Sequence, residues 1–564
     1  MSVLIAAGST AAQIQAAINT APPGETISLA SGSYQFDRTV VINRDDITVT
    51  GAGAALTVIT TASAMNGAPA FRIGEALFNE TLTGPVSMAF AAEGATVITV
   101  STGHTFKPGD AVWIETANDA AFLDAIGDCL WREDKPLRTA LAVVISVSGT
   151  QITLDRGLPF AFNSAGTVVR EINLVTGVVL KDMALQGSYG TADPANFTNT
   201  QPLAAGGMML LINTSDGVVI SGINIVQPAS NGLVIGKSLD APVTSVSVTG
   251  AHNKADGGNG YGFWIRDCYD GKFEGLSAYD TRHAVLFASY TSSSGNEVYV
   301  TGTNRDINFH GGLDHDNIVL VEHSVRTGAE QGYLGSVSFV NPGTDYGAPT
   351  EPSANTILFR EGVGTVRADV VVGMSGGVKF STLGGNDTLT GGNGSDRLDA
   401  GTGIDLIHAT RGSDTVIGGE GTDTVDFDML RSAVTLSVYK GALVVRGEFG
   451  VTRMTGVEYV TFDNGRFKVT DLITQVTQAA AVQTLAVPMT AQTMLVAANA
   501  DAFVFHDAAF ARPEPGLLDA FFGRDAAHLP DHPLAIVDAS ATGDQPDGHA
   551  PWHWHGGHER FDLV

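Results

Sequence analysis

Cysteine is nearly absent: Cys129 and Cys268 are the only two in 564 residues. They allow one disulfide and exclude a disulfide framework. Basic residues are scarce as well, with 31 Lys and Arg against 59 Asp and Glu and a formal charge of -28. A surface of that sign is a poor match for nucleic acid or an anionic membrane, and it suits a soluble protein that binds cations. No apolar run reaches the roughly 20 residues that a membrane span needs. The opening MSVLIAAGSTAAQIQ has neither a basic n-region nor a long apolar run, so no N-terminal secretory signal is read. An exported chain of this kind is expected to carry its address elsewhere. Helical periodicity is missing from most of the chain, which excludes an α-solenoid. The chain is too long for a single compact core, so it must be several domains or a solenoid of strands.

What is present is rhythm. Residues 382 to 426 read as five nonapeptides, TLGGNDTLT, GGNGSDRLD, AGTGIDLIH, ATRGSDTVI and GGEGTDTVD, with Asp387, Asp396, Asp405, Asp414 and Asp423 in one column. An apolar residue follows each aspartate two positions later: Leu389, Leu398, Ile407, Val416 and Val425. Glycine-rich half-repeats make tight turns, aspartates add hard oxygen ligands, and the apolar residues begin short strands over a thin core. The pattern resembles the G-G-x-G-x-D-x-U-x repeat of calcium-binding parallel β-rolls. That resemblance implies two nonapeptides per roll turn and calcium shared by aspartates eighteen residues apart, Asp387 with Asp405, Asp396 with Asp414, and Asp405 with Asp423. The fourth repeat is degenerate, with Ala409, Thr410 and Arg411 where glycines would sit. This stretch resembles the RTX repeats of proteins exported by type I secretion. The resemblance implies Ca2+ as cofactor, the type I secretion machinery as a partner, an extracellular or cell-surface location, and a roll that folds only where calcium is plentiful. The ending Phe561-Asp562-Leu563-Val564 resembles the termini of type I substrates.

The rest of the chain is read as all-β. Thr10 to Asn19 forms a short amphipathic helix with Ile14 and Ile18 on one face, followed by β-rich runs. This opening resembles the cap and first coils of right-handed parallel β-helix proteins of the pectate-lyase-like class. Residues 1–84 are taken as that cap, 85–170 as an inserted small β-barrel-like domain around the Lys107-Pro108-Gly109-Asp110 turn, and 171–375 as the main β-helix. In the last, apolar starts near Met208, Leu233, Gly262, Ala284 and Ile307, and near Val218, Val246, Phe273, Val298 and Ile318, mark successive coils. Residues 376–430 are the calcium roll, 431–475 its β cap, and 476–564 a secretion tail that includes His549, His553, His555 and His558.

Ionisable residues crowd into three coils, 252 to 323. Arg282 and Arg305 are 23 residues apart, as are His283 and Asp306, which would put each pair on adjacent rungs. Stacked arginines need an anion, and a uronate carboxylate would serve. Removing the proton α to that carboxylate then needs a base, His283 oriented by Asp306, or His310, and a donor, Tyr279 or Tyr261. The layout is similar to the mannuronan C5-epimerases, and the coil pattern to polysaccharide lyases. It implies an enzyme on an acidic polysaccharide, although the epimerase signature Tyr-Gly-Phe-Asp-Pro-His-Glu is reduced to its first three letters in YGFWIRD, Tyr261 to Asp267. The run Arg305 to Asn317 loosely resembles lyase elements. A glycosidase would need two carboxylates, Asp314 and Asp316 with Asp267 or Asp270. The reading from another class is a non-catalytic adhesin, a rigid rod that binds cell-surface glycans.

Overall fold

The computed structural model describes residues 2–125, 136–288, 291–310, 312–326, 336–340 and 354–485. Cys129 and the histidine-bearing tail lie outside them; Cys268 is buried with a free thiol. Met1 to Thr490 forms one compact unit, and it is a parallel β-helix that continues into a β-roll.

The chain enters through a helix, Ala11–Thr20, whose Thr10 hydroxyl accepts the Gln13 N–H while the Gln13 side chain accepts from the Thr10 N–H. That reciprocal cap satisfies two helix-end donors and fixes the helix start. Ala11, Ile14 and Ile18 are fully buried, so the helix plugs the open end of the first coils.

Two parallel ladders make the main body. In one, Val179–Gly187 pairs with Val219–Val226, then Pro242–Thr249, Lys272–Tyr279, Glu297–Thr303, Ile318–Val325 and Thr356–Val363. In the other, a nine-stranded sheet, Met208–Asp216 pairs with Asn231–Leu239, Tyr261–Tyr269, His283–Phe287, Ile307–Phe309 and Ser338–Val340. The register carries Leu233 onto Phe263, Val285 and Ile307, all in the core. Alternation along strands turns Trp264, Leu286 and Asn308, which pair in one row, to the outer face.

The first ladder does not stop at the roll. Thr356–Val363 pairs with Lys379–Ser381, then Arg397–Gly403, Gly412–Gly421 and Gly450–Thr455. A second sheet joins it, Val370–Val372, Thr388–Thr390, Leu406–His408, Thr424–Phe427 and Tyr459–Phe462. One apolar core therefore runs unbroken from Ala11 to Leu472. The closing segment holds antiparallel hairpins, its last strand ends at Lys468, and a helix, Val469–Leu485, follows.

The strands between Leu82 and Ile172 form a separate antiparallel six-stranded sheet over their own core. It rests on the β-helix through Trp113 and Leu141 against Leu239 and Tyr269. Arg156 adds ion pairs to Asp240 at 2.8 Å and Asp270 at 2.6 Å.

Buried corners need polar satisfaction, and asparagines supply it. Asn317 Nδ2 donates to Asn355 Oδ1 at 2.8 Å and to the Ser293 carbonyl at 2.9 Å, while its Oδ1 accepts from Asn296 Nδ2 at 2.8 Å. Replacing Asn317 by Ala would orphan partners on two neighbouring coils. Asn317→Ala is expected to destabilise the β-helix by about 2–3 kcal/mol in denaturant unfolding, and Asn317→Asp by at least as much, because a buried charge replaces two donors.

Candidate functional site

The outer face at the Tyr261, His283 and Ile307 strands gathers part of the ionisable run. His283 is 3% exposed and its Nδ1 lies 2.9 Å from Asp306 Oδ1 and 3.0 Å from Oδ2. Burial pulls the imidazole below its ordinary pKa and outweighs the carboxylate beside it. Burial alone would raise Asp306, but the His283 contact holds it below the usual range. The pair is therefore a neutral imidazole donating Nδ1–H to a carboxylate, with Asn308 donating to Asp306 Oδ2 at 3.3 Å. Nε2 keeps its lone pair, the arrangement a general base needs.

Tyr261 pairs with His283 in register, and their ring centroids are 5.5 Å apart. Burial raises its phenol above the ordinary value, so it stays a proton donor. The ring of His310 is 6.5 Å from that of His283. Burial, then the neighbouring His283 and Arg282, lowers His310 to about 4. It is neutral near pH 7. Arg282 reaches the Ala255 carbonyl at 3.0 Å and the exposed Asp256 carboxylate at 2.6 Å.

Two expected members go elsewhere. Pairing of Val285 with Ile307 sets a 22-residue step here, one short of the spacing that would stack Arg282 on Arg305. Arg305 is fully buried, donating to the carbonyls of Thr281 at 2.6 Å, Asn304 at 2.9 Å and Pro194 at 3.1 Å. It shares the ring of Phe197 with Lys254, which burial and then Arg305 lower to about 8. The expected arginine pair is thus no anion clamp; Arg305 is a structural tie between coils. Tyr279 ends a strand of the other ladder, 40% exposed, with its hydroxyl over Gly302. Tyr261 replaces it beside His283.

Sequence spacing did not single out Trp264 or Phe78. Trp264 is 5.3 Å from Tyr261, and the Arg266 guanidinium lies between Trp264 at 5.1 Å and Phe78 at 4.9 Å. Phe78 is 67% exposed and held at φ 65°. An exposed aromatic in a left-handed conformation costs free energy and points to function. Its signal in the sequence was weak, since it sits far upstream in the approach to the inserted sheet.

The carboxylates considered for glycoside hydrolysis disperse. Asp316 is exposed and Asp270 is held by Arg156. Asp267 accepts from Thr139 Oγ1 and the Ser292 N–H at 3.3 Å each, and Asp314 from the Ser293 N–H at 2.8 Å and Thr291 Oγ1 at 3.0 Å. Burial pushes both carboxyls up. Asp267 lies at the seam with the inserted sheet, and Asp314 ties to Thr291 and Ser293 of the coil before it.

In the roll, the five aspartates of the column are all buried, at 5% exposure or less. Each gives one oxygen to the backbone of the preceding coil. Asp387 Oδ1 accepts the Asp369 N–H at 2.7 Å, Asp396 that of Val378 at 2.7 Å, Asp405 that of Asp387 at 2.8 Å, and Asp414 and Asp423 those of Asp396 and Asp405 at 3.1 Å. The second oxygen of Asp387, Asp405, Asp414 and Asp423 accepts no hydrogen bond. Thr382 and Thr452 stand near Asp387 and Asp414 without meeting hydrogen-bond geometry. Asp396 Oδ2 is met by Thr410 at 3.1 Å, a hydroxyl from the degenerate fourth repeat. A Cβ on Gly403 or Gly412, at φ 151° and 139°, would overlap the carbonyl of Gly385 or Gly394 one coil below. Only glycine lets these turns stack so closely.

Orphaned buried carboxylate oxygens above stacked carbonyls fit a hard cation. Among the described residues no three acidic, histidine or cysteine side chains converge, so backbone carbonyls would supply the remaining oxygens. Residues 363–398 and 399–428 each match the family model described as the RTX calcium-binding nonapeptide repeat (4 copies). The segment is a calcium-binding RTX roll. Its first matched coil starts ahead of the expected boundary, and Asp369 is the aspartate the nine-residue column did not include.

Comparison with solved structures finds likenesses of low identity. The tailspike protein of Pseudomonas phage LKA1 is 16% identical, with a TM-score of 0.46, covering 76% of this chain and 80% of that one. The tailspike of Pseudomonas phage phi297 is 18% identical with a TM-score of 0.45, covering 74% and 69%. An alginate lyase from Paenibacillus sp. str. FPU-7 is 10% identical with a TM-score of 0.31, covering 75% and 93%. A search of curated proteins finds no match. No helix among the described residues is long and apolar enough to cross a membrane.

Metal-free, the RTX carboxyls are poised badly for neutral pH. Burial raises Asp387 and Asp414 to about 7 and Asp423 to about 6, with neighbouring aspartates adding to the rise. A carboxyl whose folded pKa is raised stabilises the fold below its unfolded pKa, and that stability is lost as pH climbs through the folded value. The calcium-free roll should therefore melt higher at about pH 5 than at about pH 8, and calcium should raise the melting point more at about pH 8, where the ligands are ionised. On chelation, hydrogen exchange should speed up in the strands from Val370 to Phe462 and change least in those from Met208 to Phe309.

Proposed function

We propose that this is an exported, calcium-dependent protein that holds an acidic polysaccharide on the outer face of the nine-stranded sheet and abstracts the proton α to a uronate carboxylate, as a lyase or a C5-epimerase does. The observation that carries the reading is the buried His283–Asp306 pair with Tyr261 beside it. In this reading His283 Nε2 takes the C5 proton. Asp306 holds the tautomer and stabilises the imidazolium that results. Tyr261 gives its proton to the leaving oxygen in elimination, or to the opposite face of C5 in epimerisation.

Arg282 is the cation for the uronate. Its fork is already engaged by the exposed carboxylate of Asp256, for which a uronate carboxylate is a chemical equivalent. Trp264, Arg266 and Phe78 extend the same face and suit the apolar and acidic faces of neighbouring sugar rings. The RTX roll supports an extracellular setting, where calcium is abundant, and export by type I secretion.

The test is a panel of uronate polymers, followed by absorbance at about 235 nm for the unsaturated product and by NMR for inversion at C5. His283→Ala is expected to lower the rate by about 10²–10⁴-fold. Asp306→Asn should lower it less, and Arg282→Ala should chiefly raise KM. Product formed equally well by His283→Ala would overturn the reading. Polymer binding with no product on any substrate would favour a non-catalytic glycan-binding rod instead.

A further inference from the structure

The RTX column has two ends, and they differ. Along one edge of the roll the aspartates succeed one another as Asp369, Asp387, Asp405 and Asp423, each donating its backbone N–H to the carboxylate of the next. At the β-helix end, Asp369 is sealed. Its Oδ1 accepts the Val337 N–H at 2.9 Å, and its Oδ2 accepts the Thr365 N–H at 2.7 Å and the Thr365 hydroxyl at 3.1 Å. Both oxygens are spent on protein donors, so this carboxylate asks for no cation.

At the other end the chain leaves the matched repeats and enters the cap, yet the pattern carries on for one more step. The strand Thr424–Phe427 pairs with Tyr459–Phe462, Thr424 opposite Tyr459, which places Glu458 in register with Asp423. Glu458 Oε2 accepts the Asp423 N–H at 2.9 Å, the bond that each aspartate makes to the coil before it. In return the Asp423 carbonyl accepts the N–H groups of Glu458 and Tyr459, at 3.2 and 3.0 Å. Asp423 itself is fully buried, and its Oδ2 accepts no hydrogen bond. That oxygen lies close over Gly418, where a Cβ would crowd it, and the next carbonyl at this level is that of Gly456, which receives the Gly419 N–H at 3.0 Å. The second edge of the roll has no such ending. There Asp414 is in register with Thr452, which offers a hydroxyl in place of a carboxylate.

We propose that Glu458 supplies the terminal carboxylate of the calcium column, so that the cap contributes a ligand to a calcium site with Asp423 beyond the last nonapeptide. The repeat runs six residues, Gly418 to Asp423, between the strands paired here, and the cap runs three, Gly456 to Glu458, so the longer side chain of a glutamate spans the difference. Calcium binding then ties the cap to the roll on one edge only, while the β-helix end is tied by hydrogen bonds that need no metal.

The test is the number of calcium ions bound by the full chain, measured by equilibrium dialysis with elemental analysis, alongside calcium titration calorimetry and melting with and without calcium. Glu458→Gln keeps an oxygen for the Asp423 N–H and removes the charge. It is expected to bind one ion fewer than the parent chain, to melt as the parent does without calcium, and to gain less from added calcium. Asp369→Asn should bind as many ions as the parent. An unchanged count and affinity in Glu458→Gln would overturn the assignment. So would loss of several ions together, which would make Glu458 a structural plug rather than a ligand, and loss of an ion in Asp369→Asn would overturn the sealed end.

Discussion

Each coil of this protein takes its position from the coil before it, through parallel backbone hydrogen bonds held in register. Because the ladder is shared, a residue's place is decided by what lies one coil away rather than by its neighbours in sequence. The first sheet runs on this rule from Val179–Gly187 to Gly450–Thr455 and crosses from β-helix to roll without a break. At that crossing the step shrinks to eighteen residues, as Lys379 pairs with Arg397, yet the sheet and the apolar core continue. A solenoid of this kind grows by addition, so each segment needs only to match its neighbours.

Such stacking buries polar groups in rows, and the rows have to be satisfied. Along one corner, Asn296, Asn317 and Asn355 satisfy one another, since an amide both donates and accepts. Arg305 cannot be satisfied that way, and it is wrapped in three backbone carbonyls. Aspartates in a row pose the hardest case, because carboxylates only accept and repel one another. The roll answers it by halves, giving one oxygen to a backbone N–H and, in Asp387, Asp405, Asp414 and Asp423, leaving the other for calcium. The same physics separates a structural row from a functional one: Asp369, with both oxygens engaged, belongs to the first kind, and Asp423 to the second.

The calcium roll was legible because its signal is periodic and local. Nine-residue spacing, a glycine turn and an apolar partner each have a physical cause within the repeat. The β-helix coils were legible for a similar reason: the starts read near Leu233, Gly262, Ala284 and Ile307 fall within one residue of the observed stack of Leu233, Phe263, Val285 and Ile307. The polar cluster was legible only in part. A 23-residue interval joined His283 to Asp306 through side chains that bridge two coils, but the strand register there is 22, and that single residue sends Arg305 away from Arg282 and into the interior. Tyr261, one of the two donors considered, is the one that meets His283; Trp264 on the same strand and Phe78 from the approach to the inserted sheet had not been singled out.

By itself the sequence determined the class of the molecule, a strand solenoid without helices in its body, and the chemistry of its roll, because composition and periodicity act through neighbouring residues. It also carried the RTX-type repeat and with it the expectation of calcium, for which glycine turns with lone aspartates offer hard oxygen ligands. Only the tertiary structure decided which polar residues meet. Coil length varies through the β-helix, and a change of one residue in that length moves a side chain to another partner or from the face to the core. Contact between coils is a sum over every intervening turn, and no local pattern carries that sum.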